Sequence, residues 1–321
     1  MTKDFAVGID IGGTNTKFGI VDRKGNILEQ GRMRTDAHDN AEEFIEELYK
    51  NLWPLIANHG GTDKFKGIGM GAPNGNIYTG TIEYAPNLKW KGIIPMADMV
   101  EKKFGLPARL TNDANAAAMG EMMYGVAKGM KHFITITLGT GVGSGIVIDG
   151  KIVVGHDGFA GELGHVIVRH GGRLHKGTSA YGSLEAYASA TGVRETAIEF
   201  LTAEPDAPSL LRNYTIDELT SETVYNCAIQ GDAIANRIFE FTGEILGEAL
   251  ANFVMFSSPE AIVLFGGLTK AGDLLLKPTV QAMEANLIQV FKNKVKVIFS
   301  DLKEADAAIL GASALVWETD H

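Results

Sequence analysis

The sequence contains a single cysteine, Cys227, among its 321 residues. This excludes an intrachain disulfide and any zinc site built from several cysteines. No apolar run approaches the roughly 18 residues that a membrane-spanning helix needs. The first residues lead directly into a strand-like segment, without the apolar core of a signal peptide. These absences predict a cytoplasmic protein with no membrane partner.

Positive charge and proline are also scarce. Lys and Arg number 29 against 39 Asp and Glu, which leaves a net charge of −10. Such a chain is a poor candidate for binding nucleic acid, although backbone N–H groups can still hold an anion locally. There are 39 glycines but only 9 prolines. We therefore expect the glycines where the backbone turns tightly or approaches a ligand, not in flexible linkers.

Strand and helix patterns alternate along the chain, which predicts an α/β protein. A length of about 150 residues per domain favours two domains. Residues 9–27 (IDIGGTNTKFGIVDRKGNI) and 136–152 (ITLGTGVGSGIVIDGKI) share one order: strand, glycine turn, strand, second turn, strand. This internal repeat predicts a duplicated scaffold, although two unrelated hairpins would give the same pattern.

Each copy of the repeat carries a glycine loop directly after a strand. In the first copy Asp10 ends the strand, and the loop that follows holds Gly12, Gly13, Thr14, Asn15, Thr16 and Lys17. We expect the glycines to turn with positive φ, leaving bare N–H groups that suit phosphate oxygens together with the threonine hydroxyls and the lysine ammonium. The Asp10 carboxylate can hold Mg²⁺. Neither a Walker A loop nor GxGxxG is present, so by itself this loop could be an ordinary tight turn.

The second loop, at Gly139, Thr140 and Gly141, offers the same chemistry. Gly266 and Gly267 follow a late buried strand and could admit an adenosine. Two such loops from duplicated domains could face each other across a cleft with one nucleotide between them. The arrangement predicts a bound nucleotide accompanied by Mg²⁺.

The motifs DIGGTNTK, LGTGVGSGI and FGG resemble the phosphate 1, phosphate 2 and adenosine motifs of the actin/hexokinase/Hsp70 superfamily. Ten spaced positions further resemble the signature of the ROK family (repressor, open reading frame, kinase): Leu138, Gly141, Val142, Gly143, Gly145, Ile146, Gly155, Gly161, Gly164 and His165. The resemblance covers essentially the whole chain and is best with ROK hexose kinases such as the bacterial glucokinases.

This resemblance implies an α/β fold of two ribonuclease H-like (actin-like ATPase) domains with an interdomain cleft. We predict that residues 1–115 plus 306–321 form a small N-terminal domain and residues 116–305 a large C-terminal domain. The resemblance also implies a homodimer, for which the helical region after Ser183 is the first place to look. Small molecules, a hexose and ATP, are the other expected partners.

Asp113 is the predicted catalytic residue. By itself, the stretch Thr111-Asn112-Asp113-Ala114 before a helix is typical of a helix cap. The ROK motif matches Asp113 to a catalytic base that engages the C6 hydroxyl of the sugar, and matches Asn112 to a sugar ligand. In phosphoryl transfer such a carboxylate can orient the hydroxyl as much as deprotonate it.

Four further sugar ligands are implied by the family motif. Glu162, His165 and Glu185 match residues around the C1–C3 hydroxyls, and Asn87 matches a loop along the other edge of the sugar. Without the resemblance, the two glutamates would be assigned to solvated surface and His165 to an ordinary loop.

The chain departs from the ROK pattern at the zinc site that many members carry. Counting back from Glu185, the three cysteine positions hold Lys176, Thr178 and Ser183. None can replace a thiolate, so no zinc is expected and something else must brace the loop. A cluster of His165 with the nearby His170 and His175 is the alternative metal site, without support from spacing.

The leading functional prediction is ATP-dependent phosphorylation of glucose to glucose 6-phosphate. N-Acetylglucosamine, N-acetylmannosamine, fructose or allose are alternative substrates, because the pocket near C2 is not evident from the sequence. A non-catalytic, sugar-binding ROK repressor is a further alternative, disfavoured because the glycine loop begins at Asp10 without room for a preceding helix-turn-helix and because the chain is acidic. An actin-like or chaperone-like ATPase would share the nucleotide motifs without hexose dependence.

Overall fold

The computed structural model describes residues 3–317; residues 1–2 and 318–321, at the two ends of the predicted N-terminal domain, lie outside the described residues. The chain divides into two compact units. The first holds the described residues up to Lys131, Gly145–Gly161 and the described residues from Ser300 onward, and the second holds His132–Ser144 and Glu162–Phe299. The domain bounds inferred from the sequence, at residues 115 and 306, stay a prediction.

The first of these units contains a mixed sheet and its flanking helices. Eight strands and three α-helices of the described residues lie before residue 132: β1 Phe5–Ile11, β2 Asn15–Asp22, β3 Ile27–Arg34, α1 Ala41–Asn58, β4 Phe65–Gly71, β5 Gly75–Asn76, β6 Thr81–Glu83, β7 Ile93–Ile94, α2 Met96–Phe104, β8 Ala108–Thr111 and α3 Asp113–Tyr124, with β9 Phe133–Leu138 next in the chain.

The remaining elements of the described residues are six strands and six α-helices. They are β10 Val142–Ile148, β11 Lys151–Ile152, β12 Leu174–His175, β13 Ala180–Tyr181, α4 Glu185–Ala188, α5 Ala190–Ala203, α6 Ser221–Ala228, α7 Ala233–Ser257, β14 Ala261–Phe265, α8 Asp273–Asn286, β15 Lys296–Phe299 and α9 Glu304–Ala314. Among the residues described, no helix is both long and apolar enough to cross a membrane.

Two five-stranded sheets share one topology. Their orders are β3-β2-β1-β4-β8 and β11-β10-β9-β14-β15. In the first sheet β2 pairs antiparallel with both β1 and β3, and in the second β10 lies between β9 and β11 and pairs antiparallel with β11. In each sheet the first of these three strands also pairs parallel with a later strand. This confirms that the two copies of the sequence repeat form equivalent strand sets. The second turn predicted in residues 136–152 is also confirmed: Asp149 and Gly150 both have positive φ, as a two-residue hairpin turn requires.

The first sheet buries its two faces differently because side chains alternate along a strand. Val7 and Ile9 belong to the core that α1 and α2 complete with residues such as Leu48 and Phe104. Gly8, between them, faces α9. The α9 backbone approaches the sheet so closely that only a hydrogen fits, and Gly69 on the neighbouring strand is used in the same way.

Replacement of Gly69 with alanine is expected to destabilise the protein by about 1–3 kcal/mol, the usual cost of overpacking. The added methyl group would overlap the Ala312 carbonyl oxygen and approach the Leu315 Cβ to 3.3 Å. Urea unfolding of the variant measures the change. Gly139→Ala is the matched control, because its methyl group would meet nothing within 4 Å. Equal stability of the two variants would contradict this account of the α9 packing.

Candidate active site

The carboxyl ends of three parallel strands bring two predicted site residues to one edge of the first sheet. Asp10, near the end of β1, pairs in register with Gly71 of β4. Gly71 in turn pairs with Thr111, the last residue of β8. Asn112 and Asp113 follow immediately. The sheet register therefore places Asp10 and Asp113 near the same edge, where a ligand of an α/β sheet commonly binds.

Asn112 and Asp113 also begin helix α3. The Asn112 side chain caps the helix, with its Oδ1 accepting a hydrogen bond of 2.6 Å from the Asn115 N–H. Asp113 Oδ1 accepts from the Ala114 N–H at 2.9 Å. The capping interpretation is thus correct for Asn112, whose Oδ1 is occupied and whose side chain is buried. Asp113, by contrast, is exposed.

The two aspartates have perturbed acidities. The pKa of Asp10 is raised to about 6, chiefly by burial and also by the negative charge of Asp113, against some lowering by the positive charge of Lys17. The pKa of Asp113 is also raised, chiefly by burial, against weaker lowering by backbone N–H hydrogen bonds. Such clustered, perturbed carboxylates are typical of functional sites.

The first glycine loop turns without the positive φ that we expected. Gly12 and Gly13 are absent from the positive-φ positions of the described chain, so that expectation is wrong. Close approach explains Gly13 instead: a Cβ there would lie 2.7 Å from the Asn87 carbonyl oxygen. At Gly12 a Cβ would lie 2.9 Å from the Asn15 carbonyl oxygen. The structure thereby brings the Asn87 loop against the first glycine loop.

The polar side chains of this loop divide into two groups. Thr14 and Asn15 are exposed and Lys17 is half-buried, so all three remain accessible to a ligand. Thr16 is fully buried, and its hydroxyl bonds to the Thr35 hydroxyl at 2.7 Å. Thr16 therefore supports the loop from inside, and the expectation that its hydroxyl faces a phosphate is wrong.

The second glycine loop is held by the start of helix α5. The Gly139 carbonyl accepts from the Ala190 N–H at 2.8 Å. The Thr140 carbonyl accepts from the Thr191 hydroxyl at 2.9 Å. With the carbonyl oxygens engaged from one side, this loop is fixed in shape before any ligand binds.

Glu185 packs directly on this loop. Its Oε2 accepts from the Val142 N–H at 2.7 Å, and an added Cβ on Gly141 would overlap that same oxygen. Its Oε1 lies 3.0 Å from His175 Nε2. The structure thus joins a predicted sugar ligand, Glu185, to the predicted phosphate loop. His175 is a partner that we had considered only as part of a metal cluster.

Glu162 and His165 lie on one short turn. Leu163–His165 forms a 3₁₀ helix, and the Leu163 N–H donates to the Ser144 hydroxyl of β10 at 3.0 Å. His165 Nε2 lies 3.7 Å from Glu162 Oε2, and both side chains are exposed. The His165 ring centroid is 6.5 Å from that of His175. Glu162, His165, His175 and Glu185 therefore form one connected polar group in the second unit.

The FGG motif lies beside the second glycine loop in the sheet. Phe265, at the end of β14, pairs with Thr137 of β9. Gly266 has φ of 104°, and a Cβ there would lie 2.6 Å from the Leu138 carbonyl oxygen. Both conditions require glycine at this position. Gly267 begins the 3₁₀ helix Gly267–Ala271.

The three cysteine positions of the family's zinc site hold no thiolate or imidazole. Lys176 is exposed, Thr178 Oγ1 bonds to His175 Nδ1 at 3.0 Å, and Ser183 is buried. Within residues 3–317, no three or more His, Cys, Asp or Glu side chains are grouped so that they could hold a metal ion.

Known proteins resemble this chain over its length. The model of the ROK family matches residues 6–319. A glucokinase of Halalkalibacterium halodurans is 35% identical over 323 aligned positions, covering 100% of this chain and 97% of the relative. A glucokinase of Thermotoga maritima is 31% identical over 321 positions, covering 99% of each.

A solved structure extends the comparison to the fold. The crystal structure of a ROK family glucokinase from Streptomyces griseus, in complex with glucose and AMPPNP, matches with a TM-score of 0.79 at 32% identity. The match covers 97% of this chain and 98% of that one. Sequence and structure agree: the protein has the two-domain, actin-like ATPase fold of the ROK sugar kinases, and it belongs to the ROK family.

Proposed function

We propose that this protein is an ATP-dependent hexose kinase that transfers the terminal phosphoryl group of ATP to the C6 hydroxyl of glucose. The observation that carries the proposal is Asp113, an accessible carboxylate of raised pKa at the sheet edge near Asp10, in a chain of the ROK family. The cytoplasm is the proposed location, and a homodimer the proposed assembly.

Asp113 acts on the attacking hydroxyl. A carboxylate with a raised pKa accepts a proton more readily than an ordinary one, which suits a general base. The bond from the Ala114 N–H fixes one carboxylate oxygen, so the side chain can align the hydroxyl for in-line attack. Because phosphoryl transfer gains most from positioning, this alignment is as important as the proton transfer.

The glycine loops bind the phosphates of ATP. Gly12, Gly13, Thr14 and Asn15 offer N–H and hydroxyl groups, and Lys17 offers a positive charge. Gly139, Thr140 and Gly141 form the second phosphate-binding loop. Gly266 and Gly267 leave space for adenosine. Backbone N–H groups are suited to anions and need no net positive charge on the protein, which fits a chain of net charge −10.

Asp10 is the proposed ligand of the Mg²⁺ that accompanies ATP. The fit rests on the raised pKa of Asp10: the half-buried carboxylate lies near a second negative charge at Asp113, and a divalent cation would relieve that repulsion. When bound, Mg²⁺ neutralises charge on the phosphates.

The sugar is recognised by hydrogen bonds from several directions. Asn87, Glu162, His165 and Glu185 are the proposed ligands beside Asp113. Asn112 Oδ1 caps α3, so its contact to the sugar would come from Nδ2. A wrong epimer would leave some of these groups without partners, which penalises its binding.

A kinase assay across hexoses tests the proposal. With ATP and Mg²⁺, glucose is expected to give glucose 6-phosphate with a kcat/KM at least about tenfold above those of N-acetylglucosamine, N-acetylmannosamine, fructose and allose. ATP hydrolysis without sugar should be at least about a hundredfold slower. A preference for another hexose would correct the substrate, whereas hexose-independent ATP hydrolysis or sugar binding without phosphorylation would contradict the proposed activity.

A further inference from the structure

The Glu185 carboxylate is held at both of its oxygens. Oε2 accepts the Val142 N–H at 2.7 Å, and Oε1 is 3.0 Å from His175 Nε2. The His175 and Glu185 side chains are only 20% and 13% exposed. A hydrogen bond to a charged group shielded from water in this way is stronger than one at an open surface. His175 therefore has the contacts needed to fix the orientation of Glu185.

His175 is itself fixed at its second nitrogen. Its Nδ1 lies 3.0 Å from the Thr178 hydroxyl. When Thr178 donates to Nδ1, the neutral imidazole carries its proton on Nε2, which is the nitrogen that faces Glu185. His175 and Thr178 lie on the β12–β13 hairpin, where His175 pairs with Ala180. One hairpin thus sets both the position of the ring and its tautomer.

The base of this hairpin is anchored by Arg173. Its guanidinium makes two bonds to the Glu199 carboxylate, at 2.8 and 2.6 Å, and one of 2.6 Å to the Ala186 carbonyl. The Arg173 N–H donates to the Tyr187 hydroxyl at 2.7 Å. The Arg173 side chain is only 10% exposed. The hairpin that carries His175 is therefore tied to α4 and α5, and Glu185 is the first residue of α4.

The zinc site of many ROK proteins does not fit these residues. Zinc requires several thiolate or imidazole ligands, whereas Lys176, Thr178 and Ser183 occupy the three cysteine positions. Thr178, at one of these positions, bonds to His175 instead. The loop is held by hydrogen bonds and an ion pair where a metal would otherwise hold it.

We propose that His175 is a positioning residue for hexose binding: its Nε2–H orients the Glu185 carboxylate toward the sugar and, together with Thr178 and Arg173, replaces a metal in bracing the loop. This inference rests on the proposed function, in which Glu185 binds the sugar. Loss of the His175 bond releases Oε1 of the Glu185 carboxylate and leaves the Val142 N–H bond to Oε2. The carboxylate can then turn away from the sugar, and small displacements of a binding group carry large penalties.

Three variants and the wild type test the inference. His175→Ala is expected to raise the Kd for glucose, measured by calorimetry without ATP, and the KM for glucose by about tenfold. The KM for ATP and kcat should stay within about threefold. His175→Gln, whose amide can donate to Glu185 Oε1, should restore glucose binding to within about threefold of the wild type. His170→Ala, an exposed histidine of the same segment, is the matched control and should bind glucose as the wild type does.

The outcomes separate the inference from the proposed function. If the wild type phosphorylates glucose and His175→Ala binds glucose equally tightly, the positioning role is wrong while the proposed function stands. If His175→Gln is as weak as His175→Ala although both fold with wild-type circular dichroism, the hydrogen bond is not the cause. One zinc per chain in metal analysis would overturn metal-free bracing. A wild type that binds no hexose would overturn the proposed function, and the inference with it.

Discussion

Replacement of Asp113 with asparagine is expected to reduce turnover of glucose and ATP by at least about a hundredfold, the usual contribution of a general base. The amide of asparagine cannot accept a proton from the sugar hydroxyl at neutral pH. Its Oδ1 can still accept from the Ala114 N–H, as the Asp113 carboxylate does at 2.9 Å. The start of α3 should therefore persist, and glucose binding should stay within about threefold of the wild type.

Steady-state kinetics measure the turnover, and calorimetry measures glucose binding, so that the two expected effects are separated. Asp63→Asn is the control, because Asp63 is exposed and lies in the turn before β4, away from the proposed site residues in sequence. It makes the same change in net charge and should turn over as the wild type does. Near-normal turnover of Asp113→Asn would show that Asp113 is not the general base. Loss of glucose binding in proportion to turnover would assign Asp113 to binding alone.

Much of the fold could be predicted because local patterns agree with the tertiary structure. The repeated strand–turn–strand pattern predicts the two equivalent strand sets, and the Asp149-Gly150 pair predicts its own hairpin. Helix α1 also follows its apolar spacing and runs unbroken from Ala41 to Asn58 despite Pro54. In such segments the same side chains determine both the local structure and the buried face.

The elements missed by the sequence analysis have weaker local signals. We did not predict helix α8, Asp273–Asn286, in which Pro278 interrupts the helical pattern. Strands β5, β6 and β7 have only two or three residues each, too few to show a periodicity. They pair with one another between nearby residues, such as Gly75 with Ile82 and Ile82 with Ile94, and pairings this short leave no repeated pattern in the sequence.

The candidate site was predicted in its residue types but not in its contacts. The resemblance to the ROK family implies roles for Asp113 and Glu185, yet it does not indicate that Asn112 Oδ1 caps a helix or that Thr16 bonds to Thr35. His175 was weighed only as a metal ligand. Its role depends on a hairpin that brings it to a residue ten positions away, and the missing cysteines were the only signal that another brace was needed.

Replacement of Gly141 with alanine is expected to weaken glucose binding by at least about tenfold, because the new methyl group would overlap Glu185 Oε2. The carboxylate cannot retreat freely, since Val142 holds that oxygen and His175 holds the other. Either Glu185 rotates away from the proposed sugar position or the loop backbone moves, and both misplace binding groups. Calorimetry with glucose in the absence of ATP measures the effect directly.

Gly139→Ala is the matched control in the same loop. Its methyl group would meet nothing within 4 Å of the protein, so glucose binding without ATP should stay within about twofold of the wild type. Because Gly139 belongs to the proposed phosphate-binding loop, this variant is expected to raise only the KM for ATP. If both variants bind glucose as tightly as the wild type, Glu185 does not bind the sugar, and its contacts with Val142 and His175 serve only to hold the glycine loop.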